Sequence, residues 1–287
     1  MKTLAFVHSN NTRSAVGDFS PVLSVFSHHE LGNTVSPFLL LDYIGPGRLL
    51  PTTRQGGVDW HPHRGFETVT LVFSGELEHR DSTGSGGLIG PGDVQWMTAA
   101  SGIVHKEVFS TGFARQGGRF EMIQLWVNLP AADKMSAPGY QSLTAGMIPI
   151  VDLADGAGSA RVIAGSLAGV TGPARTHTRM NVFDVRLRAG STTTLAAAAG
   201  DTALVFLMSG RLQLAEADSA LEEDSLAVLS SREADITLDA QADSHFLVLT
   251  GEPLHEPISA HGFFVMNHYD EILQAYEDAK NGRLGRD

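Results

Sequence analysis

Short β-type runs broken by glycine-rich corners recur along most of this chain, and that rhythm admits few architectures. Thr68–Phe73 is β-branched and apolar and stops at Ser74–Gly75. Glu76–Arg80 alternates in character, and the cluster Asp81–Gly87 then turns the chain. Leu88–Ile89 meets a second corner at Gly90–Asp93, and Val94–Thr98 follows. Met122–Leu129 alternates near its start and ends at Pro130. Strands spaced about ten residues apart, with such corners, build a sandwich or barrel whose side chains face in and out by turns. The 31 Gly and 12 Pro are scattered in small clusters, which suits turns better than a disordered linker.

The same rhythm returns after an interruption. Pro130–Gly139 reads as a connection between domains. Beyond it, Ala160–Ala168, Val182–Leu187, Thr202–Met208, Arg211–Leu214, Ser225–Leu229 and Phe246–Thr250 are strand candidates. Leu204–Met208 with Ser209–Gly210 repeats the plan of Leu71–Phe73 with Ser74–Gly75, an internal repeat of two barrels. The 287 residues are comfortable for two domains. The expected division is 1–135 for a first barrel and 136–287 for a second. A short helix should close the chain. Asn267 is a candidate cap, Asp270 and Glu271 lie in the first turn, and Lys280 precedes Gly282. Its apolar stripe reads as Ile272, Leu273 and Tyr276, which must pack on a barrel, the first barrel being one candidate.

Charge and composition then remove several functions. Twenty basic against 32 acidic residues leave a formal charge of −12, and no Lys/Arg run stands out. Such a field repels a phosphate backbone, so direct nucleic-acid binding is not expected. Without cysteine there can be no disulfide, thiolate ligand or Cys nucleophile, and any metal must be held by His and carboxylate. No stretch reaches the ~20 apolar residues of a membrane span, and the apolar run at Met1–Val7 is too short for a signal-peptide core. The expectation is a cytoplasmic protein.

Two short segments carry chemistry. In Asp59–Thr70 (DWHPHRGFETVT), His61 and His63 stand two apart, and on a strand they point to one side. Glu67 shares their parity if the strand has no bulge. In Gly102–Phe109 (GIVHKEVF), His105 and Glu107 repeat the spacing. Three imidazoles and a carboxylate suit a divalent transition ion with positions left open for a substrate. A structural zinc more often fills four tetrahedral positions, frequently with sulfur. A lone H-x-H pair is weak as a signal, but two such pairs beside strands and turns are stronger. Glu67 is a further candidate ligand, or a partner that orients a ligand histidine. Phe66, Trp96 and Met97 are candidates for an aromatic and apolar pocket wall, or for ordinary core.

These segments make the chain recognisable. It resembles the pirin family of the cupin superfamily through Ser36–Gly47, Val58–Thr70, Gly75–Gly84, Ile89–Glu107 and Gly251–Asn267. The resemblance spans nearly the whole chain and is loose between about Thr144 and Thr250. It implies an all-β fold of two cupin (jelly-roll) barrels face to face, with a short C-terminal helix and one metal in the first barrel. Its ligands map onto His61, His63, His105 and Glu107, which decides for Glu107 over Glu67. Iron(II) is the metal the resemblance implies first; nickel, manganese, copper and zinc share the ligand set. Ala100 stands where the cupin second motif carries proline. In the second barrel only His177 recurs, with Arg179 in its partner's place, so no second metal is expected there.

The resemblance also implies function. Bacterial pirins can open flavonols with O2 and release carbon monoxide. Others in the family act by binding proteins, among them an iron-dependent transcriptional co-regulator. The primary expectation is a dioxygenase of the quercetinase type, with a flavonol and O2 as substrates and Glu107 as the proton acceptor. The alternative is an iron-dependent, redox-sensing regulator that binds a protein partner without turnover.

Overall fold

The apolar runs do become antiparallel strands, arranged in two units that are described separately. The computed structural model describes residues 1–214, 217 and 220–285. The first unit comprises Thr12–Ser24, Phe38–Ala145 and the chain from His255 onward. Its larger sheet runs Gly139–Leu143, Val94–Thr98, Phe66–Ser74, Gly118–Asn128, Phe38–Leu49, Phe19–Ser27 and Arg13–Val16. Its smaller sheet runs Gly57–His63, Ile103–Phe109, Leu77–Asp81 and Gly86–Ile89. Both sheets contribute to one aromatic core. Phe109 of the smaller sheet meets Phe19 edge-on at 5.1 Å and Phe120 at 4.8 Å, the latter two coming from the larger sheet. Each such buried side chain contributes about 1.5–3 kcal/mol.

Gly65 separates the two sheets along the chain. Its φ of +86° is a left-handed value, and a side chain there would strike the carbonyl of Val265. The reversal ends one strand at His63 in the smaller sheet and starts another at Phe66 in the larger. Lys134 fastens this corner. Its buried ammonium donates to Gly65 O at 2.7 Å, Val265 O at 3.0 Å and Asn128 Oδ1 at 2.6 Å, while burial lowers its pKa to about 7.

The second unit comprises Met1–Asn11, Val25–Pro37 and Gly146–Leu254. A seven-stranded sheet, ordered Leu4–Ser9, Ser225–Leu229, Thr202–Ser209, Ser244–Gly251, Met180–Leu187, Gly158–Ala164 and Ile150–Asp152, accompanies a three-stranded one of Thr192–Leu195, Ile236–Ala240 and Leu212–Leu214. Val185, Val205 and Phe246 from the first and Leu195, Leu212 and Leu238 from the second meet in a mainly aliphatic core. The N-terminus is pinned by buried Lys2, whose ammonium lies 3.1 Å from the carbonyls of both Asp201 and Ser230.

The units therefore interleave along the chain, where the sequence suggested a single cut between 135 and 136. Gly139–Leu143 still pairs with Val94–Thr98, so the first unit continues to Ala145. Leu4–Ser9 pairs with Ser225–Leu229 in the second unit. The pairing of a strand with a partner more than two hundred residues away leaves no local trace. The closing helix runs Tyr269–Lys280, and its cap is His268 rather than Asn267. Glu271 reaches back to accept from the amides of His268 (2.7 Å) and Asn267 (3.0 Å), while the Asn267 side chain donates to Pro257 O. The buried stripe is Ile272 and Ala275, packed with Phe264, Met266 and Val104 of the first unit. Leu273 is half exposed instead, whereas Tyr276, also part exposed, lies at the edge of the stripe with its ring edge-on to Phe264 at 4.9 Å. No helix among the described residues is long and apolar enough to cross a membrane.

Candidate metal centre

Strand register brings the three histidines together. In the smaller sheet His105 lies directly opposite His61, and Ile103 opposite His63. The pairing slips between His105 and Glu107, so that Glu107 faces Val58, with an extra residue accommodated in Gly57–His63. The imidazole centroids of His61 and His105 are 4.3 Å apart, those of His61 and His63 4.8 Å, and those of His63 and His105 4.9 Å. One ring nitrogen from each falls within 4.8 Å of the others. The parity expected for His61 and His63 is realised, and His105 joins them.

The rings are prepared as neutral lone-pair donors. His61 Nδ1 donates to Asp59 O at 2.7 Å, and His63 Nδ1 donates to Phe263 O at 3.2 Å. Each therefore keeps its Nε2 lone pair for another partner. Burial lowers the pKa of all three; His63 falls to about 3, with His61 adding to the effect, and His105 falls well below its ordinary value. The Nε2 atom of His105 is buried with no hydrogen-bond partner. A buried polar atom without a partner is costly, and a metal ion among three such nitrogens would satisfy it. The donor set fits a borderline divalent transition metal.

Glu107 lines the same cavity as His61 and His63 and is itself buried. The Thr70 hydroxyl (2.8 Å) and the Gln95 amide (3.0 Å) both donate to its Oε1. The cavity is about 100 Å³, walled by Phe19, Ile44, Val58, Met122, Trp126 and Phe263. Asp42 also lines it, with one buried carboxylate oxygen lacking a partner; burial pushes its pKa up to about 6, against a hydrogen bond from Ser24.

Other expected residues lie elsewhere. Glu67 falls after the Gly65 reversal, in the other sheet, where its Oε1 accepts from the Thr98 hydroxyl at 2.7 Å. Its shared parity with His61 and His63 is cancelled by that corner. Met97 packs with Ala99 and Ile103, and Trp96 is wholly buried; neither lines the cavity. Phe66 supports the site from behind, its ring tilted against Trp126 at 4.4 Å and 5.0 Å from the His63 ring. His177 is exposed in a bend, and Arg179 is paired with Asp201.

Several residues were beyond the reach of the sequence reading. Trp126 lies in the expected strand Met122–Leu129, and the inward parity shared by Met122, Gln124 and Trp126 could have marked it. Phe263 comes from the distant C-terminal hairpin Ser259–Met266; its ring sits 5.5 Å from His61 and its carbonyl receives the His63 proton. Asp81 and His79, behind His105, had no local signal beyond a strand followed by a turn.

Comparison with known proteins agrees with this architecture. Residues 20–127 match the Pirin family and residues 182–285 the pirin C-terminal cupin domain. A Pseudomonas aeruginosa protein provisionally named a quercetin 2,3-dioxygenase is 51% identical over 286 residues, covering 100% of this chain and 99% of its own. The crystal structure of quercetin 2,3-dioxygenase from Acinetobacter baumannii superposes with a TM-score of 0.96 at 47% identity, covering 99% of this chain and 98% of that one. A bacterial pirin from Escherichia coli in complex with nickel(II) shares the fold at a TM-score of 0.64 and 19% identity, over 86% of this chain and 98% of that one. With two antiparallel β units, a histidine cluster in the first and matches of this extent, the chain belongs to the pirin family of cupin proteins.

Proposed function

We propose that this protein is a metal-dependent dioxygenase that opens flavonols with O2, holding one divalent transition metal through His61, His63, His105 and Glu107. The observation that carries the reading is the buried, unpartnered Nε2 of His105 inside a cluster of neutral imidazoles at an aromatic-walled cavity. The 51% identical relative, provisionally named a quercetin 2,3-dioxygenase, supports the substrate class. Iron(II) is the proposed metal. The nickel(II) carried by the Escherichia coli pirin makes nickel the first alternative, ahead of manganese, copper and zinc.

A bound divalent ion supplies a Lewis-acidic centre that acidifies a chelating hydroxyl and, when redox-active, electrons for O2. The protein's own groups do the rest. The three imidazoles hold the ion and stay unprotonated because burial disfavours their charged forms. Glu107 accepts the proton of the flavonol 3-hydroxyl. Thr70 and Gln95 anchor its Oε1, which leaves Oε2 to turn toward ion or substrate. Ile44, Met122 and Trp126 pack against the flat ring system and keep water out. A cavity of about 100 Å³ takes the chelating edge of a flavonol, and the remainder emerges beside Phe263 and Val16, both partly exposed.

Protein prepared without metal, loaded anaerobically with iron(II) or nickel(II), mixed with quercetin and then exposed to O2 tests the reading. Flavonol loss matched by carbon monoxide release is expected. A folded, metal-loaded protein that consumes no flavonol defeats it.

A further inference from the structure

Behind the cavity lies a buried chain of groups that ends on His105, and its other two members, Asp81 and His79, are used by neither the ligand set nor the proton transfer. Asp81 Oδ2 is 3.2 Å from His79 Nε2, and His79 Nδ1 is 3.4 Å from His105 Nδ1. All three side chains are buried. Strand register produces the alignment, with His105 opposite Asp81 and Glu107 opposite His79 between Ile103–Phe109 and Leu77–Asp81. Tyr140 stacks on His79 at 5.0 Å with an interplanar angle of 19° and limits its tilt.

We propose that Asp81 and His79 are positioning residues for the metal: together they determine which nitrogen of His105 carries the proton, and so how tightly the ion is held. This rests on the metal-binding part of the proposed function. The logic runs outward from the carboxylate. The other oxygen of Asp81 accepts from the Thr83 amide (2.9 Å), the Thr83 hydroxyl (2.7 Å) and the Ser85 amide (3.1 Å), bonds that favour the ionised form. A fixed carboxylate accepts only, so His79 places its proton on Nε2 toward Asp81. In that tautomer His79 has a lone pair on Nδ1, and His105 donates its Nδ1 proton to it. The proton of His105 is thereby held at the back of the ring. Its front nitrogen, Nε2, is the buried atom without a protein partner. A carboxylate thus sets a ligand's tautomer through an intervening imidazole, one step longer than the usual carboxylate–histidine–metal arrangement.

Nickel(II) binding to the full-length, metal-free protein, measured by calorimetry and chelator competition, reads this directly. Asp81→Asn keeps an oxygen for the Thr83–Ser85 turn but offers an N–H to His79 Nε2. That reverses His79 and presents a proton to His105 Nδ1. Affinity is expected to fall roughly 10–100-fold, as for other groups that orient metal ligands. His79→Ala should do the same. His79→Gln, whose side-chain oxygen can accept from His105 Nδ1, should stay within about threefold of the unaltered protein and ignore a further Asp81→Asn change. Equal affinity for the Ala and Gln variants, or unchanged affinity in a folded Asp81→Asn protein, overturns the proposal. If Asp81→Asn does not fold, the contrast between Ala and Gln at position 79 decides alone. An unaltered protein that binds neither nickel(II) nor iron(II) fails at the earlier step and removes the metal reading itself.

Discussion

The two units solve the problem of buried polar groups in opposite ways. In the second unit, buried Asp184 is satisfied from both sides. His245 Nε2 lies 2.6 Å from one of its oxygens and Arg161 3.1 Å from the other, and the surrounding core is apolar. His245 and Arg161 hold Asp184 ionised despite its burial. In the first unit, two buried imidazoles and a partly buried one face one another, and a nitrogen of one is left without a partner. Charges that close on each other complete a structure, whereas like groups that converge call for something from outside. Similar strand rhythms can therefore give a scaffold in one unit and a ligand site in the other.

The sharpest way to break the comparison is to remove a proposed ligand. His61→Ala or His63→Ala should lower metal affinity by more than the roughly 10–100-fold typical of groups behind the ligands, and abolish turnover; equilibrium dialysis with metal analysis checks it. Next, Glu107→Gln should reduce the rate of flavonol consumption by about 10²–10⁴-fold, the usual contribution of a positioned base, with a much smaller change in KM. Steady-state kinetics on metal-matched samples separates the two.

The converse experiment belongs to the second unit. His245→Ala should leave the metal stoichiometry untouched and cost roughly 3–5 kcal/mol of stability, because Asp184 loses one side of its pairing. Denaturant unfolding alongside metal analysis reads both, and a change in metal content would blur the contrast between the units.

The smallest expected effect returns to the first unit. Asp42 is raised to about 6 by burial, above its ordinary 3.8, so the folded chain holds its proton more tightly than the unfolded chain does. Its contribution is fully present below the ordinary carboxylate range and is lost as pH rises through about 6. Asp42→Asn should thus be up to about 2–3 kcal/mol more stable than the unaltered protein at pH 8, with the gain fading toward pH 4. Urea titrations across that range test it.

By itself, the sequence was sufficient for whatever repeats over a few residues. Alternation along a strand is a property of the local backbone, so the convergence of His61 with His63 and the presence of His105 beside a turn could be read directly. Glycine-rich corners announced the β architecture for the same reason, and the matching stretches announced the family. Tertiary structure decided whatever depends on pairing between distant segments. The left-handed turn at Gly65 sent Glu67 to the other sheet, and the bulge opposite His105 set where Glu107 falls. Register placed Asp81 and His79 behind His105, and a hairpin about two hundred residues away delivered Phe263 to the histidines. Cross-strand register and strand exchange between units arise from the summed burial and hydrogen bonding of many residues, and no short window of the chain contains that sum.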